Sequence, residues 1–301
     1  MTRCHARAEP VSTDVRAALV GVRALILDAD GVLMYAGRPL PGAVQALQQL
    51  ERASFPYRVV TNYSSAHRRT LAAGVSRSFG IPVDPRRLIT AASAAAAHTA
   101  RHHRGEPLFV LASADALREW DGQRTLSADE ADRPDARLGA VVIGDAGDDL
   151  SFRNLNIAFR AVRSGAALVA MHRNAWWVTA RGVTLDAGAL VVGLEYALDR
   201  KAVVTGKPSR VVFRAATDEL TEEAGRPRLR LGDIAMVGDD LRADVAGAHR
   251  AGLRGVLVLS GKTDAISLAA AVDSGTARGG ARPDAVATDV GSVIEALLSA
   301  R

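Results

Sequence analysis

The stretch Ala24–Leu33 constrains the fold more than any other part of the chain. Four apolar residues lead into two carboxylates, Asp28 and Asp30, and Gly31 follows them. A continuous apolar run is typical of a strand buried on both faces of a parallel sheet. In open α/β sheets ligands bind beyond the carboxyl ends of the strands, where both acids would lie. Two carboxylates at short range raise the pKa of one of them, so the pair predicts a bound cation or a shared proton. The alternative is a strand end followed by a solvated Asp-Gly turn.

Length and composition limit the class of protein. A chain of 301 residues is expected to form one large α/β domain or two domains. The 4% aromatic content argues against a stacking surface for single-stranded nucleic acid. The net charge of +5 comes from scattered arginines and not from a basic arm, so no nucleic-acid partner is predicted.

The chain also lacks the patterns of secreted and membrane proteins. Residues 1–17 are predicted to form an N-terminal tail, which has no apolar segment of the kind found in a secretory signal. No apolar run reaches the length of a transmembrane helix, so no membrane partner is predicted. The single cysteine, Cys4, excludes an internal disulfide framework and fits a reducing compartment. We therefore expect a cytoplasmic protein.

Alternating strand and helix patterns predict a doubly wound sheet. A strand over 57–61 is predicted to lead into a helix capped by Ser64 or Ser65. From about residue 89 the alternation starts again, and the polar stretch 121–137 is predicted to be a loop or an excursion. These patterns predict a core domain of residues 18–88 and 205–301 with an inserted domain of residues 89–204.

Three further polar groups follow predicted strands. Thr61-Asn62 precedes a helix and could hold an anion, although many strands end in this way for turn reasons alone. Gly206-Lys207-Pro208 places a positive point charge at a strand end. Gly238-Asp239-Asp240 ends a buried strand, with Asp244 one turn later. Carboxylates from two neighbouring strands suit Mg²⁺, whereas Asp240 alone is interpreted as a helix N-cap.

Other candidate motifs have simpler interpretations. Lys207 does not lie in a P-loop, because proline follows it and Lys201 stands where the first glycine is needed. The 255–263 segment is interpreted as a structural turn, and 144–149 as a strand-to-helix loop. His98 and His102 have zinc-ligand spacing but no evident third ligand, so they are interpreted as solvated histidines.

Four motifs of the chain resemble, in order and spacing, those of the haloacid dehalogenase (HAD) superfamily. They are Asp28-x-Asp30-Gly31, Thr61-Asn62, residues 206–208 and residues 238–244. The insertion resembles the C2-type cap of its NagD-like, or nitrophenylphosphatase-like, branch. Within that branch, the pattern from 185 to 208 is similar to a group of phospholysine, phosphohistidine and pyrophosphate phosphatases. The resemblance implies a Rossmann-like doubly wound parallel sheet with an inserted α/β cap domain. Asn62-Tyr63 departs from the Asn-Asn of many relatives, which could alter the pocket there.

The resemblance also implies roles for individual residues. Asp28 would be the nucleophile and Asp30 the general acid and base. Mg²⁺ would be held by the Asp28 carboxylate, the Asp30 carbonyl and Asp239. Thr61, Asn62 and Lys207 would bind the phosphate. Asp244, supported by Asp240, would orient Lys207 or a metal-bound water. Substrate contact would come from His172, Asn174 and Asp186. The Trp176-Trp177 pair between these cap residues is interpreted as core packing, with a place in a specificity loop, which the resemblance implies for this stretch, as the alternative.

The function predicted from this resemblance is Mg²⁺-dependent hydrolysis of a small phosphorylated metabolite, phosphoamide or pyrophosphate through an aspartyl-phosphate. The presence of Asp30 favours a phosphatase, since the dehalogenases of the superfamily lack that second aspartate. A phosphotransferase or mutase using the same intermediate, and a non-catalytic phospho-ligand-binding module, are the alternatives. A homodimer formed through the cap is expected from the same branch.

Overall fold

The computed structural model describes residues 12, 14–179, 182–225, 228–273 and 282–299. Cys4 and most of the predicted tail therefore lie outside the described residues. The strands are β1 (Ala24–Asp28), β2 (Met34–Tyr35), β3 (Arg38–Pro39), β4 (Tyr57–Thr61), β5 (Leu88–Thr90), β6 (Leu108–Leu111), β7 (Thr125–Leu126), β8 (Ala140–Ile143), β9 (Ala167–Ala170), β10 (Trp176–Thr179), β11 (Gly182–Leu185), β12 (Val203–Val204), β13 (Ile234–Gly238), β14 (Arg254–Val258) and β15 (Ala285–Ala287).

Helices follow most of these strands. They are α1 (Val15–Ala18), α2 (Ala43–Arg52), α3 (Arg68–Phe79), α4 (Ala91–His102), α5 (Ala128–Ala131), α6 (Phe152–Arg163), α7 (Ala187–Leu198), α8 (Arg210–Ala224), α9 (Ala246–Ala251), α10 (Ala265–Asp273) and α11 (Val290–Ser299). A π-helical turn, Leu241–Val245, precedes α9. In the part of the chain that the structure describes, no helix has the length and apolar character needed to cross a membrane.

The chain forms two compact units. The first unit comprises Met1–Val60, Arg77–Ile81 and Ala216–Arg301, and the second comprises Thr61–Ser76 and Pro82–Ala215. The domain bounds at 88/89 and 204/205 stay a prediction from the sequence.

A parallel sheet organises the first unit. Its strand order is β15-β14-β13-β1-β4, so β1 lies between β13 and β4. Leu25 is paired with Ala235 on one side and with Tyr57 on the other. All five residues of β1 are buried, as the continuous apolar run predicts. Since β1 and β13 are parallel neighbours, the residues that follow them emerge at the same edge of the sheet.

The second unit contains a parallel sheet of its own, in the order β12-β9-β8-β6-β7. One face packs Val141 and Leu168 against residues of α6 and α7, and the other packs Val142 against α4. These parallel sheets with flanking helices confirm the predicted α/β class. The loop predicted over 121–137 was wrong in part, because this stretch supplies β7 and α5.

An antiparallel hairpin of β10 and β11 stands apart from that sheet. Trp176, paired with Leu185, is 62% exposed, and Trp177 is 39% exposed. The interpretation of this tryptophan pair as core packing was therefore wrong.

Helix α3 begins at Arg68, so the predicted cap at Ser64 or Ser65 was wrong. The first turn is held instead by acidic side chains distant in sequence. Asp115 accepts the backbone N–H of His67 at 2.9 Å, and Glu119 accepts that of Arg68 at 2.7 Å. The two serines are thereby left for other contacts.

Candidate active site

Three buried carboxylates meet in the first unit. Asp28 ends β1 and Asp239 directly follows β13, the neighbouring parallel strand. One ligand atom each of Asp28, Asp239 and Asp244 lies within 4.8 Å of the others. Because three buried anions repel one another strongly, such a cluster needs a cation or bound protons to be stable.

Asp244 is fully buried and holds the backbone at the end of β13. Its Oδ2 accepts the N–H of Asp239 at 3.1 Å and that of Asp240 at 3.0 Å. Asp240 caps the following π-helical turn as predicted, accepting the N–H groups of Arg242 and Ala243. The helix predicted from residue 241 thus opens with a wide turn that carries Asp244 back toward the strand end.

Two glycines leave room for the Asp239 carboxylate. A Cβ atom at Gly31 would lie 2.0 Å from Asp239 Oδ2, and one at Gly261 would lie 2.1 Å from it. Gly31 also has a φ of +79°, which L side chains rarely adopt. The donor set is made of hard oxygen atoms in a space that side chains would fill, which fits Mg²⁺.

Lys262 contacts this cluster, although the sequence interpretation of 255–263 as a structural turn missed it. Its N–H donates to Asp239 Oδ2 at 2.6 Å, and its ammonium pairs with Asp240. Burial raises the pKa of Asp240, but hydrogen bonds from Lys262 and the backbone outweigh it and hold that pKa below its ordinary value. Lys262 follows β14, the neighbour of β13 in the sheet, and this adjacency, which the sequence does not show, brings it to the acid cluster.

Asp30 is exposed at the same end of β1. The turn that carries it is tight, since Ala29 O accepts the N–H groups of both Leu33 and Met34 at 2.9 Å. Gly31 N–H donates to Met34 O at 2.8 Å. The Asp30 carboxylate is therefore presented to solvent from a well-ordered backbone.

In the second unit, Asn62 is joined to the backbone of Lys207 by two hydrogen bonds. Its Oδ1 accepts the Lys207 N–H at 2.7 Å, and its Nδ2 donates to Lys207 O at 3.0 Å. Lys207 and Thr61 are both buried, and Thr61 Oγ1 accepts the N–H of Tyr63. The structure thus brings Asn62 and Lys207 together, with the asparagine amide acting as a brace for the lysine.

Two of the three residues predicted to contact substrate are buried. His172 Nε2 lies 3.0 Å from Ser64 Oγ and 3.7 Å from Asp186 Oδ1. Asp186 Oδ1 also accepts the Ala187 N–H at the start of α7. Burial lowers the pKa of His172, and this effect outweighs the negative charges of Asp186 and Asp145, which raise it. Asn174 is exposed.

The Ser64, His172 and Asp186 side chains do not form a serine-hydrolase triad. His172 Nδ1 accepts the Asn174 N–H at 3.4 Å, so the proton of the neutral imidazole resides on Nε2. A base facing a nucleophilic serine needs a free nitrogen toward that hydroxyl. Here Nε2, the nitrogen nearest Ser64 Oγ, carries the proton instead.

Sequence reasoning missed the contacts of the two serines after Asn62. Ser64 reaches His172, and Ser65 Oγ donates to Asp145 Oδ2 at 2.7 Å. The only local signal was the polar run that follows β4, which was interpreted as a helix cap.

Comparisons with known proteins agree with this architecture. A profile of haloacid dehalogenase-like hydrolases matches residues 25–123, and a HAD-hydrolase-like profile matches residues 204–293. The chain is 34% identical to rat haloacid dehalogenase-like hydrolase domain-containing protein 2 over 244 residues, covering 80% of this chain and 85% of that protein. It is also 34% identical to phospholysine phosphohistidine inorganic pyrophosphate phosphatase of Xenopus laevis over 249 residues, covering 80% and 85%.

A solved structure has a similar fold. The p-nitrophenyl phosphatase from Archaeoglobus fulgidus matches with a TM-score of 0.78 and 28% identity, over 92% of this chain and 99% of that one. The resemblance to this superfamily and to its nitrophenylphosphatase branch is confirmed. On the strength of these matches, the chain belongs to the haloacid dehalogenase-like hydrolase family.

Proposed function

We propose that this protein is a phosphatase that removes a phosphoryl group from a small molecule through a phosphorylated Asp28. The observation that carries the proposal is the buried trio of Asp28, Asp239 and Asp244 at the ends of adjacent parallel strands. The phosphatase names of relatives at 34% and 28% identity support it.

In the first step an Asp28 carboxylate oxygen attacks phosphorus. The bond between phosphorus and the leaving oxygen, or the leaving nitrogen of a phosphoamide, breaks, and Asp30 donates a proton to that leaving atom. Asp30 suits this task because it is exposed on a rigid turn two residues from the nucleophile. The products are an aspartyl-phosphate and the released alcohol, amine or phosphate.

In the second step Asp30 accepts a proton from water, whose oxygen attacks the same phosphorus. The bond to Asp28 breaks, and inorganic phosphate leaves with Asp28 again a free carboxylate. Positioning and charge compensation account for most catalysis of phosphoryl transfer. Lys207, held in place by Asn62, supplies positive charge to the phosphoryl oxygens, and Thr61 supplies a hydroxyl.

The residues that would hold Mg²⁺ are Asp28 and Asp239, with the carbonyl oxygen of Asp30. Asp244 would fix Asp239 through its backbone hydrogen bond. When bound, the ion would neutralise charge that develops on the transferring group. The glycines at 31 and 261 keep the required space clear.

For the substrate we propose a phosphate ester, a phosphoamide or pyrophosphate of small size. The Xenopus relative's name includes phospholysine, phosphohistidine and inorganic pyrophosphate, and the Archaeoglobus neighbour is named for p-nitrophenyl phosphate. Transfer of the phosphoryl group to an acceptor other than water would favour the phosphotransferase alternative.

The test is phosphate release from a panel of these three substrate classes, with Mg²⁺ and with EDTA. Asp28→Asn should reduce turnover at least about a thousandfold, because a neutral amide cannot form the acyl-phosphate. Lys207→Ala should be severely impaired through loss of a charge partner. The exposed Asp148→Asn serves as the control. Metal-independent release, or full activity of Asp28→Asn, would overturn the mechanism.

We also propose that a second copy of the chain covers an apolar surface of the second unit. This surface consists of Trp176, Trp177, Val183 and Leu185 on the hairpin, with Val192 and Tyr196 on α7, all exposed. The outward residues of α7, which also include Gly193 and Ala197, carry no charge, which is unusual for a surface helix. Trp176, Trp177 and Tyr196 are the large aromatic side chains of this surface, and aromatic residues of this kind are enriched at protein–protein interfaces.

A further inference from the structure

His172 lies where three segments of the second unit meet. It directly follows Met171, whose carbonyl oxygen accepts the N–H of Gly206 at 2.7 Å. Its own side chain reaches Ser64, two residues beyond Asn62. The end of β9 therefore contacts both the segment that carries Asn62 and the segment that carries Lys207.

The hydrogen bond between His172 and Ser64 has a defined direction. Since Nδ1 accepts the N–H of Asn174, the imidazole proton resides on Nε2 and is donated. Ser64 Oγ, at 3.0 Å, is within hydrogen-bond distance, whereas Asp186 Oδ1, at 3.7 Å, is not. Both side chains of the pair are only 3% exposed, so water is poorly placed to replace either partner.

This burial makes the hydrogen bond important for the local backbone. Removal of the imidazole would leave the Ser64 hydroxyl facing a buried void, and an unsatisfied buried polar group is costly. Movement of the 61–65 segment toward another hydrogen-bond partner would relieve that cost. Such a movement would displace Asn62 and, through its two hydrogen bonds, Lys207.

We propose that His172 is a positioning residue, which acts through Ser64 to keep Asn62 and Lys207 aligned for the phosphoryl group. This inference rests on the proposed phosphatase function. It differs from the sequence-based hypothesis that His172 contacts substrate, which stays a prediction, and it is favoured by the enclosed and hydrogen-bonded side chain. His172 would then act as a neutral hydrogen-bond donor throughout the reaction.

The experiment compares His172→Ala, His172→Gln and Ser64→Ala with the exposed His102→Gln as control. His172→Ala should lower kcat/KM about 10–100-fold, mainly in kcat, because small misalignments of this kind cost that much. His172→Gln should recover most of the loss, since its amide can donate to Ser64 as Nε2–H does. Ser64→Ala should show a loss like that of His172→Ala, and the double variant should lose little more.

Additive losses in the double variant, or no recovery with glutamine, would overturn the inference. If His172→Ala fails to fold by circular dichroism, the smaller change Ser64→Ala decides, and a wild-type kcat there refutes it. A wild-type protein that releases no phosphate would refute the proposed function instead. In that case the ¹⁵N shifts of the His172 imidazole still test the hydrogen bond on which the inference depends. An Nε2–H tautomer whose Nε2 shift changes in Ser64→Ala supports that bond, whereas an Nδ1–H tautomer or an unchanged shift refutes the inference.

Discussion

Substitution of Gly31 by alanine tests whether the glycine exists to make room for the acid cluster. The new Cβ would lie 2.0 Å from Asp239 Oδ2, whereas ordinary contact begins at 3.4 Å. To restore ordinary contact the carboxylate would have to retreat by about 1.4 Å, and the new atom would also lie within 3.1 Å of Gly261 Cα. A misplacement of about 1 Å at a catalytic group can cost about 100-fold in rate.

Gly37 offers a matched control for the backbone strain. Its φ of +75° is close to the +79° of Gly31, but a Cβ there would meet nothing within 4 Å. Alanine at either position should therefore cost about 1–2 kcal/mol of unfolding free energy through the left-handed conformation. Only Gly31→Ala should also disturb Asp239.

The assay is kcat/KM at saturating Mg²⁺, together with the Mg²⁺ concentration for half-maximal activity and the urea midpoint. We expect both variants to lose stability through the backbone strain, while Gly31→Ala alone loses about 100-fold in kcat/KM and needs more Mg²⁺. Activity of Gly31→Ala within threefold of Gly37→Ala would refute the steric reasoning.

Two other predictions concern stability and assembly. The pKa of His98 is lowered to about 4 by burial and by His102 and His103, so its unfolded form binds a proton more readily than its folded form. The contribution of His98 to the free energy of unfolding should be complete above pH 6.5 and fall by on the order of 1 kcal/mol toward pH 4. Urea titrations should show a smaller loss of stability at low pH in His98→Gln. An unchanged loss in that variant would disprove the reasoning. For assembly, light scattering should show a dimer for the wild type and a monomer for Trp176→Ser with Tyr196→Ser; a monomeric wild type would contradict the proposed interface.

Strand positions in the sheets could be predicted from the sequence because burial on both faces leaves a local pattern. Residues 24–27 and 234–238 are uninterrupted apolar runs, and both form central strands. The hairpin of β10 and β11 was missed for the opposite reason. Whether Trp176 is buried depends on what packs against it, and adjacent residues do not report this.

Candidate site residues at strand ends could likewise be predicted from their position after apolar runs. Ser64 could not, because its partner His172 is 108 residues away and the cap of α3 comes from Asp115 and Glu119. The proximity of Gly31 and Gly261 to Asp239 also arises only when distant segments meet. Local sequence thus identified the acids but not the contacts that shape their surroundings.

The order of strands in the first unit has a consequence for synthesis on the ribosome. β1 is paired with β13, although Leu25 and Ala235 are about 210 residues apart. Closing so long a loop is entropically costly unless the intervening chain is already compact, which the second unit can provide. We therefore expect a nascent chain to carry Asp28 unpartnered until residues beyond 244 emerge. Metal affinity would then be acquired only near the end of translation.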